Sequence, residues 1–317
     1  MLDVFITVDT EIWCGGWDDL DARFPEAFRR YVYGPTSTGD HGLPLQLSIL
    51  ADHGLKASFF VEPLFSARFG RAPLAEIVGL LQEENQEIQL HCHTEWVDEA
   101  EGEDLPRIDD KRQCMHDFDR DEQARIIAAG LAYLKDVGVE GVNAFRAGGF
   151  ASNADTLRAV GANGLAYDSS VNPTTTSLWE GDGAIRGPVQ VDKVWEYPLT
   201  TFEDWPGHLR HVQVTACSFG ELRAMLNQAE EKDYRAFVIL FHNFELLTPD
   251  KSRPDPVVVG RFRRLCQFLD ANRDRFRVRG FSDLPPPESP LQPTPLRSTR
   301  WRTGARVLSQ LWRRRYE

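Results

Sequence analysis

Short apolar runs alternate with helical segments along most of this chain, and that order leaves few folds open to it. Strand-like runs cover 2–8, 56–61, 87–91, 142–146, 165–168, 235–242 and 276–281; helical patterns cover 45–52, 74–82, 119–137, 154–160, 219–232 and 257–272. The clearest helix is 119–137, where Asp119 or Asp121 can cap the start and Gly138 stops the end. Repeated strand-then-helix order predicts an α/β protein with a parallel sheet or barrel and right-handed crossovers. In such folds the carboxyl ends of the strands open onto one crevice or barrel mouth.

Four of the runs end in reactive side chains: TVDTE at 7–11, LHCHTEW at 90–96, FRAGGF at 145–150 and ILFHN at 239–243. Asp9, Glu11, His91, His93, Glu95, Arg146 and His242 can therefore converge from opposite ends of the sequence. On an extended chain, residues i and i+2 point the same way, so Asp9 and Glu11 can face one cavity. Two nearby carboxylates repel unless a cation or an arginine separates them. His91 and His93 share a face if the strand continues; if the chain turns helical after His91, Glu95 falls beside it instead. Imidazole and carboxylate donors suit zinc, with a position left open for water. Arg146 is placed to orient a carboxylate base, and the two glycines after it permit a sharp turn or a close approach of backbone. His242 ends a very apolar strand, where partial burial beside a carboxylate suits proton transfer. These are the parts of a metal-assisted hydrolase.

The 317-residue chain carries a net charge of −12, which argues against nucleic-acid binding by the main body. Its five cysteines are irregularly spaced, with no CxxC, and read as reduced thiols. Met1 runs almost directly into the first strand, and no apolar stretch is long enough to span a bilayer. A cytoplasmic protein is expected.

Three segments break the alternation: 12–43, rich in Gly, Asp and aromatics; 97–118, which is acidic; and 172–215, which reads as irregular hairpins. Loops this long usually cover or bind something. At residue 285 the composition changes. A catalytic unit over 1–284 is predicted to give way to a proline-rich linker and a basic amphipathic tail over 285–317. The tail holds seven arginines against Glu288 and Glu317, a net of +5 that leaves −17 for the rest. With Trp301, Leu308, Leu311 and Trp312 interleaved among the arginines of 297–315, it could lie on an anionic membrane at the inner face; the alternatives are a disordered tail or one that folds back on the acidic body. The linker predicts a tail that can be removed without disturbing the body.

Taken together, these residues resemble the polysaccharide deacetylase (NodB-homology) family of carbohydrate esterases, over most of 2–284. GLKASFFVEP at 54–63 is similar to that family's second strand, QEIQLHCHTEW to its histidine motif and AFRAGGF to its arginine motif. YDSSV at 167–171 is similar to the strand that follows, and VILFHNF to the final histidine motif. The resemblance implies a distorted (β/α)7 barrel and a divalent metal, most often zinc. It implies removal of N- or O-acetyl groups from an amino-sugar glycan, with a role in surface glycan biosynthesis. Asp9 would be the general base, Glu11 and His91 metal ligands, Arg146 the partner of Asp9, and His242 the general acid. Trp13, Trp17, Trp96 and Phe150 could stack on a sugar. The chain departs from the family pattern twice. A threonine separates Asp9 from Glu11 where the family usually has adjacent aspartates. The second metal histidine, four residues after the first, is Glu95 here, so either Glu95 or His93 is left as the third ligand. Hydrolysis of another amide (a formamido sugar or a cyclic ureide) and metal-free sugar binding are the alternative functions.

Overall fold

The computed structural model of the chain describes residues 1–100, 103–175, 185–287, 290 and 292–313. Its centre is β1 (Leu2–Thr10), a nine-residue strand of almost wholly buried residues. On one side β1 pairs with β10 (Ala236–His242), in register from Asp3↔Ala236 to Asp9↔His242; on the other it pairs with β2 (Ser58–Val61). The sheet continues through β3 (Glu87–Cys92), β4 (Ala144–Ala147), β5 (Tyr167–Asp168) and β7 (Val194–Glu196). Among the described residues seven parallel strands therefore curl in the order β10-β1-β2-β3-β4-β5-β7, an eighth, β11 (Phe276–Val278), pairs in parallel with the start of β1, and β6 (Val189–Val191) adds an antiparallel edge. This curled parallel half-barrel agrees with the distorted barrel that the family resemblance implies.

The side-chain period of two divides each strand between two cores. Val4, Ile6 and Val8 of β1, with Phe237, Ile239 and Phe241 of β10, face the outer helices. Phe5, Phe60, Ala144, Tyr167, Val238 and Leu240 face inward and fill the barrel. The outer helices α2 (Leu43–Asp52), α3 (Ala72–Glu83), α4 (Arg120–Asp136), α5 (Ala154–Ala162), α6 (Phe219–Glu231) and α7 (Pro256–Asp270) lie close to where hydrophobic spacing predicts them. Asp119 caps α4 by accepting from the amides of Asp121 and Glu122, and Glu122 completes the capping box.

Strand pairing alone does not close the barrel. After β7 the chain crosses from the β5 side to β10: Leu199 donates its amide to Val171 O and Thr200 donates to Val238 O. The opposite end is plugged by Phe281. A strand is expected over 276–281, yet β11 (Phe276–Val278) stops after three residues. Phe281 then turns inside against Phe5, Phe60, Tyr167 and Tyr197, its amide held by Glu87 Oε1 at 2.8 Å. Burying such a ring is worth about 1.5–3 kcal/mol, comparable to the net worth of two or three ladder hydrogen bonds.

Two segments differ from expectation. Within 12–43, α1 (Leu20–Phe28) forms despite Pro25, because Leu20, Phe24, Ala27 and Phe28 recur on one helical face and bury. Phe24 stacks on Phe69 and meets Trp96 edge-on. The tail is not detached. Leu296–Arg297 forms β12, paired in parallel with β8 (Thr201–Trp205), whose hairpin partner is β9 (His208–His211). The final helix, α8 (Arg300–Arg313), then lies on the body. Arg306, 4% exposed, donates to Asp204 Oδ2 at 2.6 Å and Glu221 Oε1 at 3.1 Å, and Arg313 pairs with Asp255. The acidic body supplies buried partners that the tail's own composition could not reveal. Expectations for 101–102, 176–184 and 314–317 lie outside the described residues.

Candidate active site

The inward face of β1 carries Asp9 at the mouth, with Glu11 two residues on. Asp9 is 2% exposed and accepts from Arg146 Nη1 at 2.5 Å. Arg146 is fully buried. Its Nε donates to Ser169 O at 3.0 Å, its Nη2 donates to Ser169 Oγ at 2.9 Å, and Phe60 lies 4.3 Å below the guanidinium. The two serines of YDSSV thus have separate tasks: Ser169 fixes the arginine, and Ser170 Oγ accepts the amide of Ala147. Under them lies a buried carboxyl pair. Burial raises Asp168 to about 6 and pushes Glu196 well above the usual range.

Glu11, His91 and His93 form a buried trio whose donor atoms all lie within 4.8 Å of one another; this group could hold a metal ion. Glu11 Oε2 is 2.6 Å from His93 Nε2 and 3.6 Å from His91 Nε2. Burial opposes ionisation of Glu11, but the surrounding imidazoles outweigh it and hold the carboxyl well below the usual carboxylate range. Burial likewise disfavours charge on His93, and the Glu11 carboxylate reverses this and raises it well above an ordinary histidine. His91 donates Nδ1–H to Arg146 O at 2.9 Å, which leaves its Nε2 as a lone pair. That Nε2 is buried and has no hydrogen-bond partner. A buried acceptor without a donor is costly, and a cation beside Glu11 and His93 would satisfy it. The donor set, two imidazoles and a carboxylate, fits zinc.

Glu95 takes a different place from Glu11. Its Oε2 is 3.2 Å from His93 Nδ1, on the ring edge opposite Glu11, and it is absent from the trio. The chain enters a tight 3-10 turn, Thr94–Glu99, only after His93, so His93 keeps the inward strand parity and Glu95 lies behind it. A carboxylate there orients the imidazole and raises its basicity. Gly148 makes room for this: a Cβ at that position would meet the His93 ring at 2.6–2.7 Å. Trp13 packs edge-on against His93 with centroids 4.8 Å apart. Trp96 is only 2% exposed among other aromatics, so it packs rather than faces a ligand.

His242 closes the group from β10. Its Nε2 stands 3.9 Å from Glu11 Oε1, and its Nδ1 is 2.9 Å from Glu245 Oε1. Thr215 and Gln213 donate to the same Glu245 oxygen. Burial disfavours the imidazolium, but Glu245, helped by Glu11 and Asp9, outweighs it and lifts His242 to about 9. Glu245 is not singled out by sequence reasoning; its only trace is the His-x-x-Glu spacing of HNFE. Asn243 also escapes it. Its side chain accepts the Glu11 amide and donates to Glu11 O and Tyr31 O, clamping the backbone that carries Glu11. Glu62 sits under His93, raised by burial to about 8, with the Leu64 and Phe65 amides on its carboxyl.

A buried arginine–aspartate pair, a Glu–His–His trio and a carboxylate-backed histidine thus meet at one mouth of an α/β half-barrel. No family model matches the chain, and no curated protein does either. Its structural neighbours are polysaccharide deacetylases at low sequence identity. A structure assigned as a polysaccharide deacetylase from Mycobacterium smegmatis aligns over 88% of this chain and 87% of its own, with a TM-score of 0.58 at 17% identity. A 4-alpha-glucanotransferase from Thermococcus litoralis aligns over 93% of this chain and 41% of its own, with a TM-score of 0.51 at 10% identity. A family 4 carbohydrate esterase from Streptomyces lividans is more distant, at a TM-score of 0.44 and 13% identity over 93% and 97% of the two chains. At these identities the likeness shows a shared fold.

Proposed function

We propose that the chain is a metal-dependent hydrolase that removes an N-acetyl or related acyl group from an amino-sugar-containing substrate. The observation that supports this most is the unpartnered Nε2 of His91, buried beside Glu11 and His93. Glu11, His91 and His93 would hold the ion, zinc by its donors, which when bound supplies Lewis acidity to the acyl carbonyl and acidifies water. Asp9, aligned by Arg146, takes the proton of the attacking water. His242 is the acid. Its proton, retained by Glu245, passes to the departing amine, which leaves poorly without it.

The test is acetate release from N-acetyl sugars by metal-loaded protein, compared with release from an activated phenyl acetate. His242→Ala is expected to slow the amide about 10²–10⁴-fold and the ester far less, since a phenolate leaves unaided. Equal losses on both would reject His242 as the acid. Glu245→Gln lowers the His242 pKa, so the fall in amide turnover with rising pH moves to lower pH. An unmoved profile would separate Glu245 from the acid.

We further propose that a cytoplasmic protein rests on an anionic bilayer through α8. This helix is docked by its polar face, through Arg306, Thr303, Gln310 and Arg313, and it turns its apolar face outward. Trp301 is 85% exposed, Leu308 69% and Leu311 51%; with Val307 and Trp205 they are the exposed large hydrophobics among the described residues, apart from Met1. Two interfacial tryptophans beside Arg300 suit a lipid surface. No helix is long and apolar enough to cross a membrane among the described residues. The double variant Trp301→Ser, Leu308→Ser should lose binding to phosphatidylglycerol-containing vesicles by roughly tenfold or more with an unchanged Tm, because both side chains are exposed. If the full chain ignores such vesicles at low salt, the face has another partner.

A further inference from the structure

Beside the candidate site, α1 and the 249–251 turn enclose a cleft of about 390 Å³. It is lined by Trp13, Arg23, Arg30, Tyr31 and Lys251, with Glu26 and Asp250 as its acids. Arg29 and Lys251 continue the wall into an adjoining depression of about 530 Å³. Four cations against two carboxylates is a local excess of +2 in a chain whose net charge is −12. Both acids are engaged already: Glu26 accepts from Arg30 at 2.5 Å, and Asp250 accepts from Thr248 and Ser252. The guanidinium of Arg23 donates to Gly15 O, and no carboxylate pairs with it among the described residues.

The cleft is continuous with the chemistry. Trp13 is common to both, packed on His93 and lining the cleft. From His242 the rings of Phe244 and Tyr31 form a floor, at centroid spacings of 5.4 and 5.0 Å. Lys251 Nζ sits over both of these rings, 4.5 Å from Tyr31 and 4.9 Å from Phe244. An aromatic floor suits a sugar face, and cations at its end suit an anion one ring away.

We infer that the substrate carries an anionic group, a phosphate or a carboxylate, on or next to the acylated sugar, and that Arg23, Arg30 and Lys251 bind it. This rests on the deacylase reading for what happens to the acyl group, but anion binding itself needs no turnover. A larger cavity of about 710 Å³ lies at the other end of the barrel, lined by Gln86, Glu87 and Arg277, and it plays no part here.

The test is calorimetric binding to the full-length, metal-loaded chain of three probes: N-acetylglucosamine, N-acetylglucosamine 1-phosphate, and a disaccharide of N-acetylglucosamine with a hexuronic acid. At least one anionic probe is expected to bind roughly tenfold or more tighter than the neutral sugar, with the preference falling as salt rises. Preference for one anionic probe over the other tells phosphate from carboxylate. Arg23→Gln should remove most of that preference while leaving affinity for the neutral sugar unchanged, and Lys251→Gln should remove it as well. Both residues are at least partly exposed, so the variants keep the fold. Equal affinity for all three probes, or variants that keep the preference, would overturn the inference. Anion-selective binding without acetate release would instead leave the cleft standing and count against the deacylase.

Discussion

His91→Ala is expected to strip the metal from the protein and abolish turnover together. The substitution removes one of three protein donors, and it also leaves Arg146 O without the Nδ1–H that it accepts at 2.9 Å. A metal site that loses a ligand opens to water, and the affinity lost is of the order that separates a resident ion from an exchangeable one. The informative comparison is with Glu95→Gln. If Glu95 only orients His93, its loss should cost about 10–100-fold in affinity, the usual effect of an outer partner. His93→Ala should cost as much as His91→Ala. Metal titration of the three variants by competition with a chelator checks this. Equal and severe loss in Glu95→Gln would make Glu95 a ligand, and full occupancy in all three would place the metal elsewhere.

What the sequence made legible here is parity. Asp9 and Glu11, His91 and His93, and Leu240 and His242 alternate with residues that face the helices, and the period of two survives into the mouth. Six of the seven strands in the curled order followed from the short apolar runs, whereas β7 lay in a segment that reads as irregular hairpins. The choice between His93 and Glu95 did not, because it turns on whether the chain leaves extended geometry before or after His93. That depends on room made by Gly148, which comes from the turn after β4. Glu245 and Asn243 were out of reach for a similar reason. Asn243 acts on Glu11 and Tyr31 from the far end of the chain, and the His-x-x-Glu spacing that joins Glu245 to His242 is too common to point anywhere alone. The tail shows the limit most plainly. Proline density and charge described a separable arm, whereas Arg306 finds Asp204 and Glu221 only once β8 and α6 are assembled. Its helical periodicity was readable, but which side would face the body was not, since burial of the polar side reverses the usual rule for surface helices.

Asp9→Asn should separate the two tasks of the buried pair. As base, Asp9 supplies proton transfer worth roughly 10²–10⁴ in rate, which the amide cannot replace. As partner, its carboxylate neutralises Arg146, which has no exposure at all. Removing one member of a buried ion pair typically costs about 3–5 kcal/mol, because the remaining charge stays out of water. Ser169 offers its carbonyl and hydroxyl to the same guanidinium, so the cost should fall at the lower end of that range. Metal affinity should change little, since Asp9 is not one of the trio. The variant is therefore expected to be folded with a lowered Tm, to be metal-replete, and to be inactive. A second variant, Arg146→Met, removes the cation instead and leaves Asp9 unpaired. It should also lower turnover, because the carboxylate loses the guanidinium that aligns it. Near-normal turnover in Asp9→Asn would show that the pair serves the barrel alone, and the proton would then have to leave through another group.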